Sequence, residues 1–203
     1  MHILLDDQPC QVKASSVGEA IDGVAGLARQ RGRVVVEVRV DGQVWTEEDL
    51  QSTDARAGEA AEIHCVTADL RELVCQTLAQ AAETLAEAGE LQQAAAEAIQ
   101  AGRQADGMSR LGEALGIWLS VHEAVVKSSH AAGLDPGSIP TGQGTLQDCI
   151  ERLNTQLRAL RASLETKDTV SLADALLYEL PQTVSDWREA LLAMETQIRG
   201  ELS

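Results

Sequence analysis

Two histidines and two cysteines in the N-terminal part of the chain have the chemistry to bind a metal ion. His2 and His64 fall in the first and last strands predicted for this segment, and Cys10 and Cys65 lie near them in the sequence. Imidazole nitrogen and thiolate sulfur are common zinc ligands. Side chains alternate along a strand, so His64 and Cys65 point to opposite faces and the set is divided. The pattern therefore favours an exposed histidine pair beside buried thiols over a metal site.

The segment from Gly137 to Gly142 has the glycine spacing of a phosphate-binding loop and precedes a predicted helix. Such loops carry a lysine directly after the second glycine, but here that position is Gln143 and no strand leads into the loop. His122 and His130 are too far apart in sequence to chelate a metal from one turn of a helix. The nucleophile elbow, the dinucleotide fingerprint and the helical zinc motif are all missing from the sequence. We therefore assign no catalytic residue, no metal ligand and no cofactor.

Three tryptophans could anchor a protein–protein contact, because an exposed indole gives a large contact area at small entropic cost. Trp118 and Trp187 fall on the apolar stripes of predicted helices, so we expect them in the core. Trp45 stands outside such a stripe and is kept as a candidate contact residue. The basic residues concentrate in one place, at Arg29, Arg31, Arg33 and Arg39. This group could meet an acidic partner, but a solvated helix end is the interpretation that we favour.

The composition argues against several classes of partner. The formal net charge is −16, whereas nucleic acid and anionic membrane surfaces bind clustered lysine and arginine. The four cysteines lack the paired spacing of zinc or redox sites. The first residues lack the features of a signal peptide, and no apolar run reaches the roughly 20 residues of a membrane span. We therefore expect a cytoplasmic protein with reduced thiols that binds neither nucleic acid nor membrane.

The N-terminal third alternates short β-prone runs with one helical pattern. Strands from His2 to Leu5 and from Cys10 to Ala14 predict a hairpin. Ser16 followed by Glu19 predicts a capped helix that ends at Gly32. Further elements are predicted after it: a strand that buries Val34, Val36, Val38 and Val40, a turn at Asp41-Gly42 with a return strand from Gln43 to Trp45, a helical turn from Thr46 to Leu50, and a strand from Glu62 to Thr67.

This order of elements is that of a ubiquitin-like β-grasp domain. The stretch from Met1 to Gln8, the helix from Ser16 to Leu27 and the turn from Val40 to Val44 resemble the small sulfur-carrier proteins of thiamine and molybdopterin biosynthesis. Those carriers end in a flexible Gly-Gly whose carboxylate is adenylated and then thiolated. Here the last strand continues through Cys65 to Leu70 into a helix. The resemblance therefore implies a fold that is used as a binding surface, without the carrier chemistry.

The remainder of the chain predicts helices that pack lengthwise. The clearest pattern runs from Thr145 to Leu164, where six aliphatic residues recur at steps of four and three: Leu146, Ile150, Leu153, Leu157, Leu160 and Leu164. An alanine-rich helix begins at Asp69 and could be divided at Gly89. A third helix opens at Ser109, after a break at Asp106-Gly107. On it, small residues at steps of four predict a close approach of a neighbouring helix, at Gly112, Gly116 and Ser120.

The last helical pattern runs from Ala173 to Ile198 and keeps its register across Pro181, which predicts one long helix bent at that proline. The segment from Asp168 to Trp187 resembles small helical proteins that accompany bacterial motility and secretion systems. The proline- and glycine-rich stretch from Gly133 to Gly144 is either a crossover connection or a functional flap, and we favour the connection.

We expect an α+β fold with a β-grasp domain at residues 1 to 68 and an antiparallel bundle of four or five helices at residues 69 to 203. The function that fits best is that of a non-enzymatic cytoplasmic adaptor or chaperone-like protein, which binds another protein through a helical groove and the β-grasp surface. Two alternatives stay open: an enzyme or metal-dependent protein with a site between the domains, and a structural subunit that self-associates into a homo-oligomer.

Overall fold

The structure is a computed structural model that describes residues 1 to 200. Its fold is α+β, with a small sheet near the N-terminus and several helices after it, as the sequence predicts. The chain divides into two compact units, Met1–Leu73, here called the sheet unit, and Val74–Ser203, here called the helical unit. Residues 201 to 203 of the predicted bundle lie outside the described residues. None of the helices within residues 1 to 200 is both long enough and apolar enough to cross a membrane.

The sheet unit is built around one mixed sheet with the strand order β2-β1-β5-β3-β4. Strand β5 pairs parallel with β1 and antiparallel with β3, so the first and last of these strands lie side by side. The elements follow in this order: β1 (His2–Leu5), β2 (Gln8–Pro9), α1 (Val17–Gln30), β3 (Arg33–Val40), β4 (Gln43–Val44), α2 (Glu47–Gln51), α3 (Thr53–Ala57) and β5 (Glu62–Asp69). The helix α3 has no counterpart among the sequence predictions.

The first hairpin reverses earlier than predicted, because its return strand is Gln8–Pro9 and residues 10 to 14 form no strand. Asp6 and Asp7 both have positive φ values, 49° and 63°, and thus form a two-residue turn. The Asp6 carboxylate accepts hydrogen bonds of 2.7 Å and 2.6 Å from the backbone N–H and the hydroxyl of Thr67 on β5. This tertiary tie holds the turn in place directly after β1.

Strand β3 does not bury the four alternate valines that the sequence predicts. Its pairing with β5 shifts register between Val35 and Glu37, which marks a β-bulge. A bulge adds one residue to the strand and reverses the alternation of side chains beyond it. Val36 is therefore 50% exposed, whereas Val35 packs against the core that contains Val38.

Helix α1 covers the sheet and begins and ends where the sequence predicts. Ser16 is its N-cap and accepts a hydrogen bond from the N–H of Glu19, but the Glu19 carboxylate bonds to Ser15 rather than back to Ser16. Gly32, with a φ of 68°, follows the helix. The core below it is apolar and consists of Ile3, Leu5, Val17, Ala20, Ile21, Val24, Val38, Ile63 and Cys65.

The helical elements begin directly after β5, where the Asp69 carboxylate accepts the N–H groups of Arg71 and Glu72 at the helix start. They are α4 (Leu70–Gln100), α5 (Gln104–Ala132), a 3₁₀ turn (Pro136–Ser138), the short strands β6 (Pro140–Thr141) and β7 (Gly144–Thr145), α6 (Leu146–Thr166), α7 (Thr169–Asp174), a π-helical segment (Ala175–Glu179) and α8 (Leu180–Gly200). Helix α4 is not divided at Gly89, and α5 begins before the predicted break at Asp106-Gly107.

The close approach between helices occurs at Gly107 and not at the predicted glycines. A Cβ atom on Gly107 would lie 2.6 Å from Ile99 Cγ1 and 3.0 Å from the carbonyl oxygen of Ala95. Gly112 and Gly116 are exposed, and a Cβ on either would meet no atom within 4 Å. The tight connection between α4 and α5 brings the two helices together near Gly107, which sequence spacing alone did not indicate.

The helical run across Pro181 is continuous, as predicted, but it contains a π-helical segment just before the proline. The N–H of Leu180 bonds to the carbonyl of Ala175, five residues earlier. Proline removes one N–H and crowds the carbonyl of the preceding turn, and the wider π turn accommodates this locally. The bend at Pro181 stays a prediction.

The connection between α5 and α6 is folded throughout. Gly133 ends α5 in the left-handed conformation, and β6 and β7 form a small antiparallel hairpin. Ile139 is fully buried and its carbonyl accepts the N–H of Leu146 at the start of α6. These anchors favour the interpretation of this stretch as a structural connection.

Candidate functional site

The histidines considered as metal ligands each lie beside a carboxylate. His2 Nδ1 is 3.4 Å from Glu62 Oε2, and His64 Nε2 is 3.2 Å from Asp7 Oδ1. His64 and Cys65 are adjacent on β5 and point to opposite faces, and Cys65 is fully buried. The His2 side chain is 58% exposed but the His64 side chain only 18%, so the prediction of an exposed histidine pair is wrong for His64. Among residues 1 to 200, no three His, Cys, Asp or Glu side chains lie close enough together to hold a metal ion.

All four cysteines are free, and three of them are buried. Burial raises the pKa of the Cys65 thiol to about 11, and the nearby Cys10 and Asp6 add to the shift. Cys65 is therefore protonated at neutral pH and is a poor nucleophile and metal ligand. Burial also raises the pKa of Cys149, whose thiol lies 3.7 Å from the hydroxyl of Thr141. The thiol of Cys65 is thus part of the packed interior of the sheet unit, and that of Cys149 is part of the interior of the helical unit.

The four clustered arginines are split between two elements: Arg33 and Arg39 lie on β3, and Arg29 and Arg31 lie at the end of α1. Arg33 donates to the hydroxyl and the carbonyl of Thr67 at 2.6 and 2.8 Å, and Arg39 donates to Glu37 at 2.6 Å. Arg29 and Arg31 are exposed at the end of α1. The residues thus do not form one site. Trp45, the remaining contact candidate, packs partly buried against the core of the sheet unit.

The glycine-rich segment before α6 is unsuited to phosphate. It runs through the 3₁₀ turn and β6 and ends at Gly142, where a Cβ would lie 2.6 Å from a carboxylate oxygen of Glu189. A carboxylate at this position repels a phosphate group. The loop instead contributes to a polar network with α6 and α8.

The centre of this network is an ion pair between Arg152 of α6 and Asp186 of α8, whose side chain is 6% exposed. Asp186 also accepts a 2.7 Å hydrogen bond from Gln182, and Arg152 donates to the side chain of Gln143 in the turn of the hairpin. Nearby, the indole N–H of Trp187 donates to the carbonyl of Cys149 at 3.3 Å. These contacts join the hairpin, α6 and α8.

A groove of about 370 Å³ lies between α5 and α6 and is the candidate functional site. We call it the Trp118 groove, and it is lined by Leu115, Trp118, Leu119, His122, Leu153, Asn154 and Leu157. Trp118 and Trp187 were predicted in the core, and both are buried, with ring centroids 5.5 Å apart in an edge-to-face arrangement. The groove is therefore an apolar slot with leucine walls that has a buried tryptophan among its lining residues.

The indole N–H of Trp118 is buried and has no hydrogen-bond acceptor in the part of the chain that the structure describes. Leaving such a donor unpaired costs roughly 1–3 kcal/mol, and an unpaired group in a native fold calls for an explanation. Gln92 and Ser129 also carry buried polar atoms without partners, but neither lines this groove. The structure thus leaves one buried donor unpaired in a residue that lines the groove.

Leu119 marks the mouth of the groove with a side chain that is 70% exposed. Leu119 directly follows Trp118 in the sequence, and adjacent residues are about 100° apart around a helix, so the two side chains cannot both point into a core. This spacing was the signal for an exposed apolar side chain. What it could not show is that the exposed leucine borders an open groove.

The comparisons with known proteins concern the region that contains this groove. The profile of a family described as a domain of unknown function (DUF8042) matches residues 76–190, more than half of the chain. The chain belongs to the DUF8042 family. All residues that line the Trp118 groove fall within the DUF8042 segment, as do Arg152 and Asp186. No curated protein and no solved structure matches the chain.

Proposed function

We propose that this DUF8042 protein is a non-enzymatic adaptor that binds a helix of another protein in the Trp118 groove. The observation that carries the proposal is the buried indole N–H of Trp118, which lacks an acceptor in residues 1 to 200 while the same residue lines an apolar groove. Apolar contacts supply affinity in such grooves, and a few polar groups fix the position of the ligand.

The chemistry of the groove suits a partner helix with leucine-like residues at steps of three and four. Its walls are leucines from two helices, and the exposed side chain of Leu119 would be covered by the bound helix. A polar side chain or a terminal carbonyl of the partner would accept the Trp118 N–H. Binding would then remove an unpaired donor as well as exposed apolar surface.

We further propose that the sheet unit is a β-grasp domain related to the sulfur carriers and is used as a second binding surface. The strand order, the parallel pairing of β1 with β5 and the single covering helix α1 support this proposal. Carrier chemistry needs a free Gly-Gly end, whereas β5 continues into α4 at Leu70. The reduced state of four free cysteines fits a cytoplasmic location, which we also propose.

The test is an affinity pull-down from native lysate with the intact chain and two matched variants. Leu119→Asp places a charge at the mouth of the groove, and Leu192→Asp places one on α8 at a leucine that is also exposed and does not line the groove. We expect one stoichiometric partner with the wild type and Leu192→Asp and none with Leu119→Asp. Equal retention or equal loss in the two variants would contradict the proposal.

Once the partner is identified, a second measurement tests the contribution of the Trp118 N–H to its affinity. Titration of its helical segment should show a Kd about tenfold weaker for Trp118→Phe, because phenylalanine keeps an aromatic ring at this position and lacks the N–H donor. If light scattering instead shows a dimer of this chain that Leu119→Asp dissociates, the groove serves self-association.

A further inference from the structure

A second groove, of about 560 Å³, lies between α4, the π-helical segment and α8. We call it the Tyr178 groove, and its lining is Ala86, Gly89, Glu90, Gln93, Leu176, Leu177, Tyr178, Pro181, Val184 and Arg188. The residues from α4 are small or polar, and those from the π-helical segment and α8 are mostly apolar. Small side chains on α4 allow another chain to approach that helix closely.

The π-helical segment presents the single tyrosine of the chain at this groove. Tyr178 is 74% exposed, whereas Leu176 on the same segment is fully buried. Short π segments are rare and occur frequently at functional sites, because they change the direction of side chains on a helix. Tyrosine is one of the residues enriched at binding hot spots, and here it stands exposed beside an apolar groove.

Three glutamates on the α4 side of the groove have neither a hydrogen-bond donor nor a basic residue as partner within residues 1 to 200. Glu90 lines it, and Glu83 and Glu87 precede Glu90 at steps of four and three on the same side of α4. None of these three has a hydrogen bond or ion pair within the described part of the chain. By contrast, several acidic residues on the other helices have a basic partner one turn away, in the pairs Asp106–Arg110, Glu123–Lys127, Glu165–Arg161 and Glu195–Arg199.

This contrast shows what kind of partner the groove can accept. Like charges at steps of three and four repel one another, so the unpaired series on α4 is unfavourable in the free protein. Arg188 is the basic residue among those that line the groove. A second copy of this chain would bring a further charge of −16, which disfavours self-association at this surface. A basic partner relieves the repulsion.

We propose that the Tyr178 groove binds a basic amphipathic helix of a partner protein. The three glutamates span seven residue steps of α4, from Glu83 to Glu90, which is about 10 Å along the helix axis. A helix laid along α4 with Lys or Arg at steps of three and four presents cations at the same repeat. Its apolar face contacts Leu177, Pro181 and Val184, and Tyr178 covers its side. This surface is separate from the Trp118 groove, so an adaptor could hold two partners.

The test uses the intact protein and two fluorescent synthetic peptides that share one pattern of leucines. One peptide carries lysine at every polar position and the other carries glutamate. Fluorescence anisotropy should show binding of the lysine peptide and none of the glutamate peptide. We expect Tyr178→Ser and the double variant Glu87→Gln/Glu90→Gln each to weaken the lysine peptide at least fivefold. These residues are exposed, and circular dichroism verifies that the variants fold.

A matched control separates a specific groove from the general attraction of a cationic peptide to an acidic protein. Glu48→Gln/Glu59→Gln removes the same charge from exposed positions of the sheet unit and should leave the Kd unchanged within twofold. Equal weakening by both double variants would overturn the proposal, as would an unchanged Kd in Tyr178→Ser. Weakening by Leu119→Ser would place the peptide in the Trp118 groove and also overturn it.

Discussion

The sheet unit and the helical unit treat their polar groups differently. The core of the sheet unit is apolar. Its main polar contact joins the half-exposed side chains of Asp6 and Arg33 to Thr67 near the end of the central strand β5. The helical unit buries Asp186 in an ion pair and leaves the Trp118 donor unpaired. The sheet unit thus keeps its polar groups outside one apolar cluster, whereas the helical unit places an ion pair and an unpaired donor between its packed helices, the donor at a groove.

The largest expected effect concerns the buried ion pair. Replacement of Asp186 by alanine removes the acceptor of Arg152 and Gln182 and leaves a partly buried cation, so the free energy of unfolding of the helical unit should fall by roughly 3 kcal/mol. Urea denaturation followed by fluorine NMR of fluorotryptophan-labelled protein measures this, because Trp118 and Trp187 report on that unit.

The control is the exposed ion pair of the sheet unit. Arg56 lies 2.7 Å from Asp22, whose side chain is 71% exposed. Solvent screens such a pair, so Asp22→Ala should lower the free energy of unfolding by less than about 1 kcal/mol, read from the Trp45 resonance. Equal losses of stability for Asp186→Ala and Asp22→Ala would mean that the buried ion pair contributes no more than the exposed one.

The next effect separates a packed glycine from two open ones. Gly107→Ala should lower the free energy of unfolding by roughly 1–3 kcal/mol, because its Cβ would overlap with Ile99 and approach the backbone of Ala95. Gly112→Ala meets no atom within 4 Å and should raise stability by up to about 1 kcal/mol through helix propensity. Thermal unfolding of both variants is the measurement. Destabilisation by Gly112→Ala would show that this face is covered in solution.

The smallest expected effect concerns the loss of stability at acidic pH when the Asp6 carboxylate, which accepts hydrogen bonds from Thr67, is protonated. Burial opposes the ionisation of Asp6, but hydrogen bonds from Thr67 and the charge of Arg33 hold the pKa of its carboxyl below the ordinary value. A lowered pKa contributes stability that is present above the unfolded-state value, near 4, and that is lost as the pH falls through the folded-state value. The sheet unit should therefore lose this contribution below about pH 4.

Asp6→Asn isolates that contribution, since asparagine also accepts the positive φ of 49° at this position. The variant should be less stable than the wild type at pH 7, and the difference should shrink as the pH falls below about 4. Asp54→Asn changes an exposed carboxylate and should follow the wild type in parallel. If the stability difference between Asp6→Asn and the wild type did not change with pH, the contact with Thr67 would depend on hydrogen-bond geometry and not on the charge of Asp6.

Much of the fold could be predicted because it depends on local chemistry. The leucine pattern predicts α6 to within two residues of its observed ends, and Thr145 caps that helix by hydrogen bonds with Asp148. The Asp41-Gly42 turn has both φ values positive, as its type requires. Of the candidate site, the burial of Trp118 could be predicted, but the groove beside it and its unpaired donor could not.

Local sequence by itself determined the starts of α1 and α6, the turn at Asp41-Gly42 and most apolar stripes, because caps, turn residues and periodicity act within a few residues. Tertiary structure alone decided the bulge at Val36, the close approach at Gly107 and the open groove beside Leu119. It also placed Glu90 opposite the π-helical segment that carries Tyr178. These features depend on which side chains meet across elements far apart in the chain, and a spacing pattern reports an apolar face without showing what covers it.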